Sequence, residues 1–255
     1  MNFFIAAATD IGTVKSTNQD GLSVMVVNTD QGKMVFAVLC DGMGGLAQGE
    51  VASATLVTAF RKWAIDELPA INSRKITEKV IRRQWLRIVD EQNDKIKAYG
   101  ISKGTRLGTT AVVMLLTQSR YYVLNVGDSR AYAIKDGISQ ITKDQTFVAR
   151  EIALGRMTQE EAASDPRRNA LLQCVGASEK VVPEMFYGAV QQDEVYMLCS
   201  DGFRHKITQG EMYDFLNPNV LIDEKTMQQH VLQLVDINKQ RREKDNISAI
   251  VIRTL

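Results

Sequence analysis

Cysteine, proline, histidine and tryptophan are all scarce in this chain, with 3, 4, 2 and 2 copies among 255 residues. Three cysteines cannot all pair, and Cys40 and Cys199 fall inside apolar runs, so free core thiols are expected and no disulfide framework. A cysteine nucleophile that attacks phosphate needs an arginine six positions on, and Leu46, Lys180 and His205 stand there instead. Having only His205 and His230 argues against a histidine-rich zinc site, and both read as surface residues. Charge of either sign is in balance at +1, which removes the electrostatic case for nucleic acid, and the Arg241, Arg242 and Lys244 cluster reads as a solvated helix end. No apolar run approaches the ~20 residues of a membrane span, and the Phe3-Phe4-Ile5-Ala6 start lacks a basic leader, so a cytoplasmic protein is expected. A phosphate-binding Gly-Lys-Ser/Thr loop, a His-Glu-x-x-His helix and an EF-hand loop are missing too.

What is present suits one compact domain spanning residues 1–255, at 45% hydrophobic and 24% charged residues. Strands are predicted at 3–9, 22–28, 34–40, 110–116, 120–126, 131–135, 194–199 and 247–252. Helices are predicted at 48–68, 75–99, near 210 and at 226–239, with an irregular helical stretch from 145 to 175. In the second helix Ile76, Val80, Ile81, Trp85, Ile88, Val89 and Ile96 keep helical spacing on one face. Runs of antiparallel strands separated from helical blocks give an α+β class, with helices covering sheet faces.

Two apolar runs end abruptly in Asp-Gly, MVFAVLC before Asp41-Gly42 and EVYMLCS before Asp201-Gly202, and Asp245 stands just ahead of a third run, ISAIVI. Asp-Gly is also a common hairpin signal, and Asp136-Gly137 between AYAIK and ISQIT is read that way. Asp20-Gly21 is ambiguous, since a strand follows it but Asn18 and Gln19 add ligand-type groups ahead of it. Asp41 differs, because Met43-Gly44-Gly45 and a helical pattern follow it with no second strand to pair. Carboxylates gathered at the ends of buried strands repel one another and resist ionisation unless a cation neutralises them. A hard divalent metal site is the simplest explanation.

Six motifs in order resemble the metal-dependent protein phosphatases of the type 2C (PPM) family, in its bacterial form. They are Thr9-Asp10-Ile11-Gly12 leading to Asn18-Gln19-Asp20, Asp41-Gly42-Met43-Gly44-Gly45, Gly108-Thr109-Thr110-Ala111, Gly127-Asp128-Ser129-Arg130, Ser200-Asp201-Gly202 and Asp245-Asn246. The resemblance covers essentially the whole chain. It implies a central antiparallel β-sandwich flanked by helices on both faces, in four α/β/β/α layers, with two Mn²⁺ or Mg²⁺ ions at one end. By that resemblance Asp41 bridges both ions, the Gly42 carbonyl adds an oxygen, Asp201 and Asp245 complete one shell, and Asp20 holds metal-bound water. Asp128 would support a third, weaker ion together with Asp201. The implied reaction is hydrolysis of phosphoserine and phosphothreonine by direct attack of a water on the binuclear centre, without a covalent phosphoenzyme. The implied partners are phosphoproteins, either products of a cognate Ser/Thr kinase or the kinase itself, with the phosphatase acting as a monomer.

The chain departs from the family pattern at several places. Lys15 stands where an arginine usually grips the phosphate; it keeps the charge and loses the two-pronged fork, and it is taken as a catalytic residue beside Asp20 and Asp41. Gln19 replaces a common glutamate, lowering negative charge near the second ion. Met43 stands where animal members carry a proton-donating histidine, which leaves a metal-bound water as the donor. Asp144 to Gly176 resembles the variable flap beside the active site, and Asp144-Gln145-Thr146 departs from the usual Asp-His-Ser at its base. The competing class is a catalytically weak or inactive module of this fold that binds a phosphoprotein or regulatory partner; all five aspartates being present argues for the enzyme. Lys15→Arg is expected to raise kcat/KM on a phosphothreonine peptide several-fold. An unchanged value would remove Lys15 from phosphate binding.

Overall fold

Apolar runs that are continuous, not alternating, call for strands buried on both faces, and that is how the chain uses them. The computed structural model describes residues 1–29, 32–44, 48–69 and 76–255. One sheet has the order β1-β11-β10-β7-β8, built from β1 (Phe3–Asp10), β11 (Ile247–Thr254), β10 (Val195–Cys199), β7 (Arg130–Ile134) and β8 (Ile138–Gln140). The other has the order β2-β3-β5-β6-β9, from β2 (Asp20–Thr29), β3 (Gly32–Gly44), β5 (Ala111–Leu116), β6 (Arg120–Val126) and β9 (Glu184–Ala189), with β4 (Leu107–Thr109) on the end of β3. Every ladder is antiparallel.

Strand parity sorts the side chains into layers. Val35, Ala37 and Leu39 of β3 meet Val112, Met114, Tyr196, Leu198, Ile250 and Ile252 between the sheets. Met34, Phe36, Val38 and Cys40 point outward to α1 (Gly49–Asp66) and α2 (Glu78–Lys103). On the opposite outer face Val195, Met197, Cys199, Ala249 and Val251 pack against α7 (Glu224–Gln240) and α6 (Gln209–Leu216). The result is the four-layer sandwich. Cys40, Cys174 and Cys199 are free and buried, as expected. Among the described residues no helix is long and apolar enough to cross a membrane.

Local sequence explains the helix ends. Thr77 caps α2 through the Val80 N–H, and Gly104, at φ 63°, closes it in the left-handed conformation that glycine tolerates. Thr208 and Glu211 form a reciprocal capping box on α6, whose Glu211 carboxylate also takes the Arg241 guanidinium from the end of α7. Two expectations are corrected here. Strand β3 does not stop at Cys40 but runs through Asp41 to Gly44, because Gly42, Met43 and Gly44 pair with β4. Strand β9 was not expected; it is an edge strand whose residues are exposed or half-buried, and its Gly188 lies under the Tyr121 ring, so it carries no core signal. The Asp136-Gly137 hairpin exists, with Ile134 facing Ile138 across a three-residue loop. Gly45, Asp30 and Gln31 between the second and third predicted strands, and residue 75 of the predicted second helix lie outside the described residues.

The sheet-to-helix interface centres on Trp85. Its ring stands edge-on to Trp63, Phe60 and Phe36, with centroids 5.6, 6.1 and 6.1 Å away. Trp85→Ala is expected to cost about 3–5 kcal/mol, read as a lower urea midpoint at unchanged slope. Trp85→Phe is expected to cost less, because the buried indole N–H has no partner to lose.

Candidate metal centre

The parity that fills the interlayer with Val and Leu also decides what closes its end. Continued by two residues, the inward-facing positions of β3 and β2 become Asp41 and Asp20, which sit directly opposite in register. The inward positions of β10 and β11 become Ser200 and Ser248, and those of β5 and β7 become Thr110 and Ser129. The hydrophobic layer therefore ends in hydroxyls and carboxylates. Thr110 and Ser129 share a hydrogen bond of 2.7 Å across the two sheets, and Thr110 Oγ1 accepts from the Asp41 N–H at 2.9 Å. The Asp41 carbonyl accepts from the Thr110 N–H and the Thr109 hydroxyl, both at 2.9 Å. The backbone carrying Asp41 is thus fixed on both sides of the residue.

The other acids reach this end from loops. Asp201 opens the single-turn helix α5 (Asp201–Arg204) just past Ser200 at the end of β10, and Asp245 stands ahead of β11 with Asn246 between them. Asn246 staples the 11–19 loop over the site: its amide nitrogen donates to the Ile11 and Thr17 carbonyls at 2.9 and 3.2 Å, and its oxygen accepts from the Gln19 N–H at 2.8 Å. Two close approaches demand glycine. A Cβ on Gly42 would lie 2.3 Å from the Gly49 carbonyl oxygen, and one on Gly202 would lie 2.1 Å from that of Asn246.

Electrostatics mark the site more sharply than shape. Burial raises Asp20, the Ser248 and Ser200 hydroxyls lower it, and the Asp201 and Asp245 charges raise it again, to about 7. Neither Asp20 carboxylate oxygen has a well-aligned hydrogen-bond partner; the nearby Ser248 hydroxyl also meets Thr9, and that of Ser200 the Ser248 backbone. Burial, then Asp20, Asp201, Asp128 and Asp245, push Asp41 well above the carboxylate range. Asp128 is raised to about 6 by burial and Asp201, against the pull of Arg204. Burial works against the Lys15 ammonium, but its contact with Asp245 at 2.9 Å, with Asp41 and Asp201 beyond, raises it overall.

The expected residues Asp20, Asp41, Gly42, Asp201 and Asp245 thus converge, with Lys15 at their rim and Asp128 beside them. Among the described residues no three acidic, histidine or cysteine side chains close into a compact ligand cluster. The residues fit a hard cation on two grounds. The donors are all oxygen, and Asp20 Oδ1, Asp20 Oδ2 and Asp201 Oδ1 are buried without partners.

His205 is exposed, as expected of a surface residue, while no role was expected for Arg204. The His205 ring lies 3.6 Å from Asp201 and 3.9 Å from Glu243; partial burial lowers its pKa, but those carboxylates outweigh that and raise it. Arg204 is nearly buried against Asp128 and Asp144. The signal available was position: both lie within one helical turn of Asp201. Gln145, at the departure from Asp-His-Ser, has a structural explanation. Its side-chain oxygen accepts from the Gly127 N–H at 2.9 Å and from Gln173 at 2.8 Å, tying the base of the 144–176 segment to the β6–β7 turn. That segment holds α3 (Phe147–Ala153) and α4 (Gln159–Ser164). A cleft of about 940 Å³ opens beneath it, lined by Asp128, Asp144, Arg168, Arg204 and His205 among others, beside the acids and not over Asp20 or Asp41.

Oxygen donors gathered where two sheets meet suit hydrolysis of a phosphate ester, and the class narrows further. The chain belongs to the protein phosphatase 2C family, whose model matches residues 13–250. It is 32% identical over 221 residues to the serine/threonine phosphatase stp of Listeria monocytogenes, covering 85% of this chain and 84% of that one. The solved structure of serine/threonine phosphatase Stp1 from Staphylococcus aureus superposes with a TM-score of 0.85 at 28% identity, covering 100% of this chain and 96% of that one. The catalytic domain of the serine threonine protein phosphatase PstP, solved in complex with 2 manganese ions, superposes with a TM-score of 0.78 at 27% identity, covering 98% and 97%. The chain is accordingly a phosphoprotein phosphatase of the bacterial PPM type.

With metal removed, Asp20 is protonated in the folded protein at pH values where the unfolded chain has lost that proton. Its folded pKa is the higher one, so this contribution to stability is present below about pH 4 and is lost as pH rises through about 7. Thermal unfolding in chelator is expected to show Tm falling across that window. Asp20→Asn is expected to flatten most of the fall, and an equal fall in the variant would assign it to other groups.

Proposed function

We propose that the chain removes phosphate from phosphoserine and phosphothreonine side chains of proteins, using two divalent cations held by Asp20, Asp41, the Gly42 carbonyl, Asp201 and Asp245. The observation that carries this reading is the partnerless, buried Asp20 carboxylate among three further acids. An all-oxygen donor set favours Mn²⁺ or Mg²⁺, and the 2 manganese ions of the PstP structure support the same choice. Bound cations of this kind supply positive charge to the phosphoryl oxygens and lower the pKa of water.

The chain's own residues have separable tasks. Asp41, fixed at N–H and carbonyl by Thr110 and Thr109, provides the rigid central carboxylate, and Asp20 opposite it orients water toward the phosphorus. The water oxygen gives up a proton as it bonds to phosphorus, the bond to the serine or threonine oxygen breaks, and that oxygen takes up a proton, so that one water is consumed and phosphate and the free hydroxyl are formed. Lys15, half-exposed on Asp245, is placed to swing its ammonium onto the incoming phosphate. Met43 offers no proton at its position. The substrate proteins are products of a Ser/Thr kinase, or the kinase itself. The chain works as one catalytic domain, a cytoplasmic monomer whose 144–176 segment acts as a flap over the neighbouring cleft.

Phosphate release from a phosphothreonine peptide is expected to require added Mn²⁺ and to fall by at least three orders of magnitude in an Asp41→Ala, Asp201→Ala variant. Metal-saturated protein with no activity above that variant would place the chain among the binding modules instead.

A further inference from the structure

Two groups of acids lie at this end of the sandwich, and they differ in how their charge is balanced. Among the described residues, the cationic side chains that Asp20, Asp41, Asp201 and Asp245 face are Lys15, on Asp245, and His205, near Asp201. Asp128 and Asp144 face two guanidinium groups. Arg130 forks onto Asp144 with Nε to Oδ1 and Nη2 to Oδ2, both at 2.7 Å, and its remaining nitrogen donates to Tyr132 at 2.9 Å. With Arg130 and Asp144 so matched, Arg204 is left for Asp128. Its Nη2 donates to the Asp128 carbonyl at 3.1 Å and lies 3.6 Å from Asp128 Oδ2 and 3.7 Å from Asp144 Oδ2.

We propose that the Arg204 guanidinium occupies the place of a third cation in this chain, making Asp128 an ion-pair partner and not a metal ligand. Arg204 follows Asp201 by three residues, so one turn of α5 brings it back over the same acids. Its side chain is 12% exposed and that of Asp128 is 11% exposed. A divalent ion on Asp128 would set a like charge a few ångströms from a poorly solvated guanidinium and would strip it of its counter-ion, and both effects are costly away from water. The pair already satisfies what a third ion would supply, whereas the four remaining acids stay short of positive charge. The inference rests on the two-ion reading above.

Counting bound Mn²⁺ tests it, by calorimetric titration with free Mn²⁺ followed by its paramagnetic resonance signal. The wild-type protein is expected to bind two ions per chain, and Asp128→Asn is expected to bind two with affinities changed less than about threefold. Arg204→Gln is expected to gain a third, weaker ion that an Arg204→Gln, Asp128→Asn double variant lacks. Arg204→Lys, which keeps the charge if the glutamine variant folds poorly, is expected to stay at two. Three ions on the wild type with one lost in Asp128→Asn would overturn the proposal, as would a folded Arg204→Gln variant that binds only two. A wild type that binds no Mn²⁺ would overturn the two-ion reading, and this inference with it.

Discussion

Repulsion between Asp20 and Asp41 is the constraint from which the rest of this end of the molecule follows. They face each other in register across an antiparallel pair, the arrangement in which like charges destabilise a sheet. Around them the chain spends its most specific contacts: the hydroxyl pair of Thr110 and Ser129 bridging the sheets, the Asn246 amide drawing in the 11–19 loop, and glycines at 42 and 202 where no side chain would fit. None of these adds hydrophobic burial. They hold polar groups in place while the apolar interlayer a few residues away resists any spreading of the two sheets.

This division of labour explains why the site can be strained without loosening the fold. The aromatic cluster about Trp85 and the apolar contacts beneath α7 lie on the outer faces of the sheets, so the helices stabilise from outside what the acids oppose from within. The base of the 144–176 segment is built in the same way, since Gln145 uses one side-chain oxygen to join the β6–β7 turn and Gln173.

Much of this was legible in the sequence because it depends on short-range pattern. The runs ending at Cys40 and Cys199 identify strands buried on two faces, and the acids that follow them are conspicuous because nothing apolar explains them. The second helix announces itself by period, while its ends at Thr77 and Gly104 are set by caps that the period does not show. The parts that stayed hidden depend on partners distant in sequence. The strand at Glu184–Ala189 is an edge with no buried run, and β3 extends past Asp41 only because Leu107–Thr109 comes alongside. Lys15 was visible as a cation near the site, but its contact with Asp245 spans nearly the whole chain. Arg204 and His205 looked ordinary because their acidic neighbours Asp128 and Glu243 come from other elements.

The ladder between β2 and β3 runs without interruption from Thr29 paired with Gly32 to Asp20 paired with Asp41. The Thr29–Gly32 pair therefore lies about 30 Å from the carboxylates, at ~3.4 Å per residue. Because side chains alternate faces, a slip of one residue there would turn Leu22 and Val24 out of the interlayer and rotate Asp20 away from Asp41. The hairpin acts as a ruler for the chemistry. A shift of register at the Thr29–Gly32 pair, remote from the acids, would be felt as a change of alignment between two carboxylates.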